Sequence, residues 1–153
     1  MKKIFFASLA AVLMQLAVVP AANADTNDDL NNLLVQYADS VNRLDLEMAK
    51  SIWSQTESIS FIHPRGHQFG WAEIKKAFYL GAMGYFTERD LRLRDININQ
   101  LSEDTAWADF YWDFDATTKT GEVVHHTGRE SQVWKKEDSG WKIVHVHYSR
   151  PPK

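Results

Sequence analysis

A chain of 153 residues with 44% hydrophobic and 24% charged side chains and no cysteine amounts to one globular domain without a disulfide framework. Its net charge of −3 argues against a nucleic-acid partner, because such binding rests on clustered Lys and Arg that neutralise phosphate. The core must come from packing, and eight Phe, five Tyr and six Trp are present to supply it.

The N-terminus reads as a secretory leader. Lys2-Lys3 give a basic start, Ile4 to Val19 is almost wholly apolar, and Ala22-Asn23-Ala24 has the small-x-small form of a signal-peptidase site. The apolar run is shorter than the ~20 residues of a spanning helix, and the polar Asp25-Thr26-Asn27-Asp28-Asp29 follows it directly. Residues 1–24 are therefore expected to be cleaved, leaving 25–153 as one periplasmic or secreted domain without membrane contact. Lys2 and Lys3 leave with the leader, so 17 basic residues become 15 against 20 acidic ones.

The remainder divides into a helical half and a strand half. Leu30, Leu33, Leu34, Tyr37 and Val41 recur at helical spacing, with Asp28 and Asp29 in the first turn, where the helix dipole favours negative charge. A short helix is expected from Asp45 to Trp53, a brief strand from Ser58 to Ile62 halted at Pro64, and a third helix from Trp71 to Ala82 loosened by Gly81 and Gly84. Four strands follow, at about 87–99, 106–115, 122–136 and 141–149, with polar turns that predict a meander. Arg89, Arg92 and Arg94, interrupted by Asp90 and Asp95, read as a solvated strand edge.

The closing run Arg129-Glu130-Ser131-Gln132-Val133-Trp134, a turn at Asp138-Ser139-Gly140, and Trp141-Lys142-Ile143-Val144-His145-Val146-His147-Tyr148-Ser149 form a hairpin. It resembles the closing hairpin of the nuclear transport factor 2-like superfamily, in particular its SnoaL-like members and the association domain of calcium/calmodulin-dependent kinase II. The resemblance covers the mature chain and implies an α+β fold, a cone-shaped, strongly bent antiparallel sheet wrapped around N-terminal helices. That fold hosts enzymes, ligand binders and assembly modules, so function must be argued from the site.

In the ketosteroid isomerase branch a Tyr-x-x-x-Val-x-x-x-Asp helix matches Tyr37, Val41 and Asp45 here, and the resemblance implies that Tyr37 is an oxyanion donor. The branch's general base, an Asp before proline, is matched by His63 before Pro64. Histidine suits a base's work, since its unperturbed pKa of about 6.5 lies near neutrality. The third residue, a protonated Asp on the penultimate strand, falls near Arg129. An arginine cannot replace a neutral carboxylic acid as donor, but it can hold an anion. A carboxylate or enolate-forming ligand therefore fits better than a steroid.

A three-residue connection with Gly140 left-handed sets Glu137 opposite Trp141, Val133 opposite His145 and Ser131 opposite His147. Arg129, Ser131, His145 and His147 then share one face, expected to line the pocket, with Glu130 pointing to the other. A one-residue slip would separate the set from the pocket. Each candidate also has a purely structural explanation: Tyr37 as packing, His63 as strand terminator, and Arg129 as the partner of Asp109 or Asp113.

Six histidines are present, but His63 and His67 straddle Pro64, Arg65 and Gly66, and the pairs His125-His126 and His145/His147 lack closed zinc-site spacing. No metal and no cofactor is expected. The face opposite Arg129, with Trp134, Val144, Val146 and Tyr148, is expected to be an outer apolar patch that pairs two copies into a homodimer. The sequence thus points to a dimeric module that binds a small organic, anionic ligand. The alternative is a lyase or isomerase moving a proton on a carbonyl-containing acid with His63 as base.

Overall fold

The computed structural model describes residues 22–150. Most of the expected leader, residues 1–21, lies outside the described residues. Helix α1 (Ala22–Arg43) opens the fold. Its buried stripe of Leu30, Leu34, Tyr37 and Val41 follows the 3.6-residue period and faces the sheet. The helix stops in a Schellman motif, in which Asp45 N–H donates to the Ser40 carbonyl (2.9 Å) and Leu44 N–H to that of Val41 (3.2 Å). Leu44 accordingly takes φ +54°, a conformation usually left to glycine. Asp45 then caps α2 (Leu46–Ile52), its Oδ1 accepting from the amides of Glu47 (3.1 Å) and Met48 (2.9 Å). The Asp of the matched helix pattern is thus a structural cap.

Two short strands, β1 (Ser60–His63) and β2 (Gly66–Phe69), form a hairpin. The second of these lies between the predicted strand halted at Pro64 and the predicted helix from Trp71, where no strand is expected. Helix α3 (Gly70–Ile74) passes without interruption into a π-helix over Lys75–Ala82 and one 3₁₀ turn, Met83–Tyr85. Strands β3 (Phe86–Gln100), β4 (Thr105–Thr118), β5 (Val123–Glu137) and β6 (Gly140–Ser149) then form the expected meander. The curled, unclosed sheet has the order β2-β1-β6-β5-β4-β3. It is mixed, because β1 runs parallel to β6 while every other neighbour is antiparallel.

Alternation fixes the two faces. Ala106, Ala108, Phe110, Trp112, Phe114 and Ala116 of β4 are all buried, as are Glu130, Gln132 and Trp134 of β5 and Ile143 and Val146 of β6. These side chains form the concave face, over which α1 and the α3–π segment lie. The patch expected as an outer dimer surface is therefore core: Trp134 and Val146 are both 0% exposed. Burying that much aromatic and branched surface outweighs any gain from turning Arg129 and two histidines inward.

The closing hairpin corrects the predicted register twice, and the two corrections cancel. The loop has two residues, Asp138-Ser139, with Glu137 opposite Gly140 (φ +99°) and Lys136 opposite Trp141. A bulge at Val144 then restores the offset, so Val133 does face His145 and Ser131 faces His147.

Arg89 departs from the expected solvated edge. Its guanidinium donates to the carbonyls of Asn42, Met83 and Phe86, tying β3 to the end of α1 and to the 3₁₀ turn. Arg92 and Arg94 do lie in solvent, in ion pairs with Asp90 and Asp115 and with Asp95 and Asp113.

Candidate functional site

Between the concave face and its helical cover lies a cavity of about 390 Å³, within the range of small-molecule sites. Most of its wall is apolar and aromatic: Val41, Phe78, Phe86, Leu91, Trp112, Phe114 and Val124. The π-helical winding contributes Phe78, Gly81 and Ala82, the two small residues leaving room. Trp112 can lie flat across β5 because residue 128 is glycine. A Cβ there would meet Trp112 Cζ2 at 2.3 Å and the Ser149 carbonyl oxygen at 2.5 Å.

The polar groups are few and aligned. Glu130 of β5 pairs with Tyr148 of β6, and the parallel register of β1 sets His63 beside Tyr148. The rings of His63 and Tyr148 stack at 5.8 Å and 11°. His63, Tyr148 and Glu130 thus make one cross-strand row on the concave face. Two strand spacings, roughly 10 Å, separate the backbones of its ends. Tyr37 reaches the row from α1 and lies beside Glu130, close enough for each group to shift the pKa of the other.

Glu130 is the group that the sequence reading passed over. It is 7% exposed and among the described residues pairs with no cation. Burial raises its pKa to about 7, against hydrogen bonds from Gln132 and Tyr37 that pull it down. Gln132 Nε2 donates to Glu130 Oε1 at 2.7 Å, while the amide oxygen of Gln132 is buried without a partner. A flip of that amide offers the oxygen to a protonated carboxyl, so Gln132 can serve both protonation states. Burial, and after it the neighbouring carboxylate, pushes the Tyr37 hydroxyl well above its ordinary pKa, which keeps it a donor. Tyr148 is raised by burial as well.

His63 lines the same cavity. Its Nδ1 accepts from the Arg65 amide at 3.2 Å, so Nε2 carries the proton and donates to Gln68 Oε1 at 2.6 Å. Partial burial, followed by the charge of Arg65, lowers its pKa against the opposing Gln68 bond. The ring is therefore neutral at neutral pH, with a lone pair held only by one long hydrogen bond.

The structure brings Tyr37 and His63 to one cavity and leaves the other four expected site residues outside it. Arg129, Ser131 and His147 are exposed on the convex face, where they border a shallow depression with Asp109 and Tyr111. Arg129 donates to Ser149 Oγ at 3.2 Å, whereas Asp113 is taken by Arg94 and Asp109 by Asn97. His145 bonds Ser60 Oγ through Nδ1 at 2.7 Å on that same convex side. The cause is parity: the penultimate-strand position facing the cavity is 130, one residue beyond the ungapped count. The apolar partners of Glu130 on its own face, Trp134, Val146 and Tyr148, were the available signal. Among the described residues no three His, Asp or Glu side chains are grouped to hold a metal ion.

Tyr79, also buried, is a structural junction. Its hydroxyl lies 3.2 Å from Ser40 Oγ and accepts from Trp53 Nε1 at 3.3 Å, and burial lifts its pKa to about 12.

Comparison with curated proteins returns no match. Among solved structures, a nuclear transport factor 2-like superfamily protein from Salmonella enterica serovar Typhimurium LT2 is 38% identical. The match has a TM-score of 0.82 and covers 86% of this chain and 94% of that one. The association domain of Caenorhabditis elegans CaMKII is 20% identical with a TM-score of 0.66, over 84% of this chain and 98% of that one. A hexachlorocyclohexane dehydrochlorinase is 10% identical with a TM-score of 0.76, covering 86% and 88%. The last two share the fold alone. The SnoaL-like domain model matches residues 30–153, and with the Salmonella relative it establishes that this chain belongs to the SnoaL-like family of the nuclear transport factor 2-like superfamily.

Proposed function

We propose that the cavity binds a small, largely apolar carbonyl compound and that the protein catalyses proton transfer on it, as an isomerase or lyase. His63 Nδ1, released from the Arg65 amide, takes the proton from the carbon next to the carbonyl. The electron pair moves to the carbonyl oxygen, which Tyr37 and protonated Glu130 stabilise by hydrogen bonds. The proton then returns at another carbon, or a leaving group departs. The observation that carries this reading is Glu130, a buried carboxyl with no cation paired to it among the described residues and with a pKa of about 7, beside the Tyr37 hydroxyl in the cavity of His63.

The test is wash-in of deuterium at the α-carbon of 2-tetralone in D₂O, followed by NMR. Wild type should exchange faster than buffer, and the rate should fall as Glu130 ionises above about pH 7. Glu130→Gln keeps a neutral donor and should retain exchange with a flattened pH profile. His63→Ala should abolish it. Loss of exchange in Glu130→Gln with survival in His63→Ala would reverse the two roles, and wild-type exchange at the buffer rate would leave a binding pocket without turnover.

We further propose that the chain acts as a periplasmic or secreted homodimer. Pairing through the convex face rests on Trp107 and Val133, both half-buried, and on Tyr111, 47% exposed.

A further inference from the structure

Two arginines stand at the mouth of the cavity, and neither is ion-paired among the described residues. Arg65 occupies the β1–β2 turn and Arg150 follows β6 directly. Because β1 and β6 run parallel, with Ile62 beside His147, both strands deliver their ends to the same edge of the cavity. Both arginines line it. Neither guanidinium takes part in an ion pair among the described residues. Their charges also reach two common neighbours: they add to the burial that lowers the pKa of His126, and they oppose the burial that raises that of Tyr148.

This differs from the pattern elsewhere on the molecule, where Arg92 and Arg94 are each matched by two carboxylates. Two like charges set at one rim repel each other, and a low-dielectric wall behind them concentrates their field in the opening. Glu122 is the carboxylate that shares the mouth, and His63 and His126, both shifted toward the neutral form, add no charge at neutral pH. Among the described residues the rim therefore carries an excess of one positive charge over the apolar chamber, while the remaining carboxyl, Glu130, is buried within it.

We infer that Arg65 and Arg150 form an anion subsite and that the ligand class is an organic monoanion. Its carboxylate sits at the mouth, and its apolar body fills the chamber of Phe78, Phe86, Trp112 and Phe114. The inference deepens the proton-transfer reading and rests on the cavity as a binding site: the substrate becomes a keto acid whose charged end is held beside His63 while its carbonyl reaches Tyr37 and Glu130. One excess charge suits a carboxylate better than a dianionic phosphate ester.

The experiment compares a matched pair of probes, 2-naphthoate and 2-acetonaphthone, by calorimetric titration of the full chain. Wild type should bind the carboxylate about tenfold more tightly than the ketone, in line with charge-assisted hydrogen bonds at a partly exposed site. That preference should shrink as salt rises. In Arg65→Gln/Arg150→Gln the ratio should fall to about one with ketone affinity unchanged, because only charge-assisted contacts are lost. Equal binding of both probes by wild type, or an unaltered preference in the double variant, overturns the anion subsite while leaving the cavity as a binding site. If neither probe binds, the cavity reading fails and the subsite with it. A double variant that loses the ketone as well reports damage to the chamber, and Arg129→Gln on the convex face supplies the matched control, expected to behave as wild type.

Discussion

The same strands present charge to two different solvents. On the convex face, Arg92, Arg94, Asp113, Asp115 and His125 pair with one another in water. On the concave face, one residue away in the alternation, Glu130 stands in a chamber of aromatic rings with only neutral partners. The contrast separates pairing from perturbation. Convex charges are plentiful, well matched and screened, so removing one alters little. The buried concave carboxyl is pushed to about 7 by burial, and it is this isolation that suits it to exchange or share a proton near neutrality.

The sharpest way to break the comparison is to deform the concave wall itself. Gly128→Ala places a methyl group 2.3 Å from the Trp112 ring and 2.5 Å from the Ser149 backbone, and backbone cannot yield as a flexible side chain does. The expected loss is about 3 kcal/mol or more of unfolding free energy, as for severe overpacking. Urea denaturation followed by tryptophan fluorescence measures it. Ser131→Ala, on the convex face of the same strand, should stay within about 0.5 kcal/mol of wild type. Similar losses at both positions would show that the two faces of β5 are equally constrained.

The second prediction concerns pH. Glu130 has a folded pKa of about 7 against an ordinary 4.5, so between these values the folded state holds a proton that the unfolded state has released. Stability from this group is complete below about pH 4.5 and is lost as pH rises through 7, by an amount on the order of 3 kcal/mol. Glu130→Gln should remove that slope and make the variant more stable than wild type at pH 8. Thermal melts of both proteins from pH 5 to 8 provide the check, and parallel curves would mean that Glu130 stays ionised when folded.

Much of this architecture was legible in the chain. The stripe from Leu30 to Val41, the four long strands and the turns between them announce a helix over a meander, because burial of apolar surface obeys fixed periods in both elements. The facing pairs Val133–His145 and Ser131–His147 were also accessible, although only because a two-residue loop and a bulge at Val144 offset each other. Which face turned inward was harder to read. A period of two gives alternation without sign, and the sign depends on where α1 packs. Arg129 and the histidines drew attention as unusual strand residues, while Trp134 and Val146, with far more apolar surface to bury, decided the matter. Tyr37 and His63 were found because a helix stripe and a strand end reach the cavity whichever way the hairpin faces. Glu130 was missed through that same inversion. The π-helical winding over Lys75–Ala82 has no marker in local sequence, since its apolar spacing also fits an ordinary helix.

The smallest effect expected is on the convex face, and it sharpens the comparison by its size. Arg92 joins Asp90 and Asp115, and Asp115 also accepts from His125 at 2.5 Å. These contacts raise the pKa of Arg92 and lower that of Asp115, a mutual support that looks substantial on geometry alone. All of these side chains are nonetheless about half exposed, where water and salt screen the attraction and two long side chains must be immobilised to form it. Arg92→Ala should therefore shift Tm by less than about 2 °C at physiological salt. The shift should be smaller still at 1 M salt, where the screening length falls to about 3 Å. A drop that is large, and that grows with protein concentration, would instead mean that this network is covered by a second copy in solution, and its charges would then belong with Glu130 among the desolvated ones.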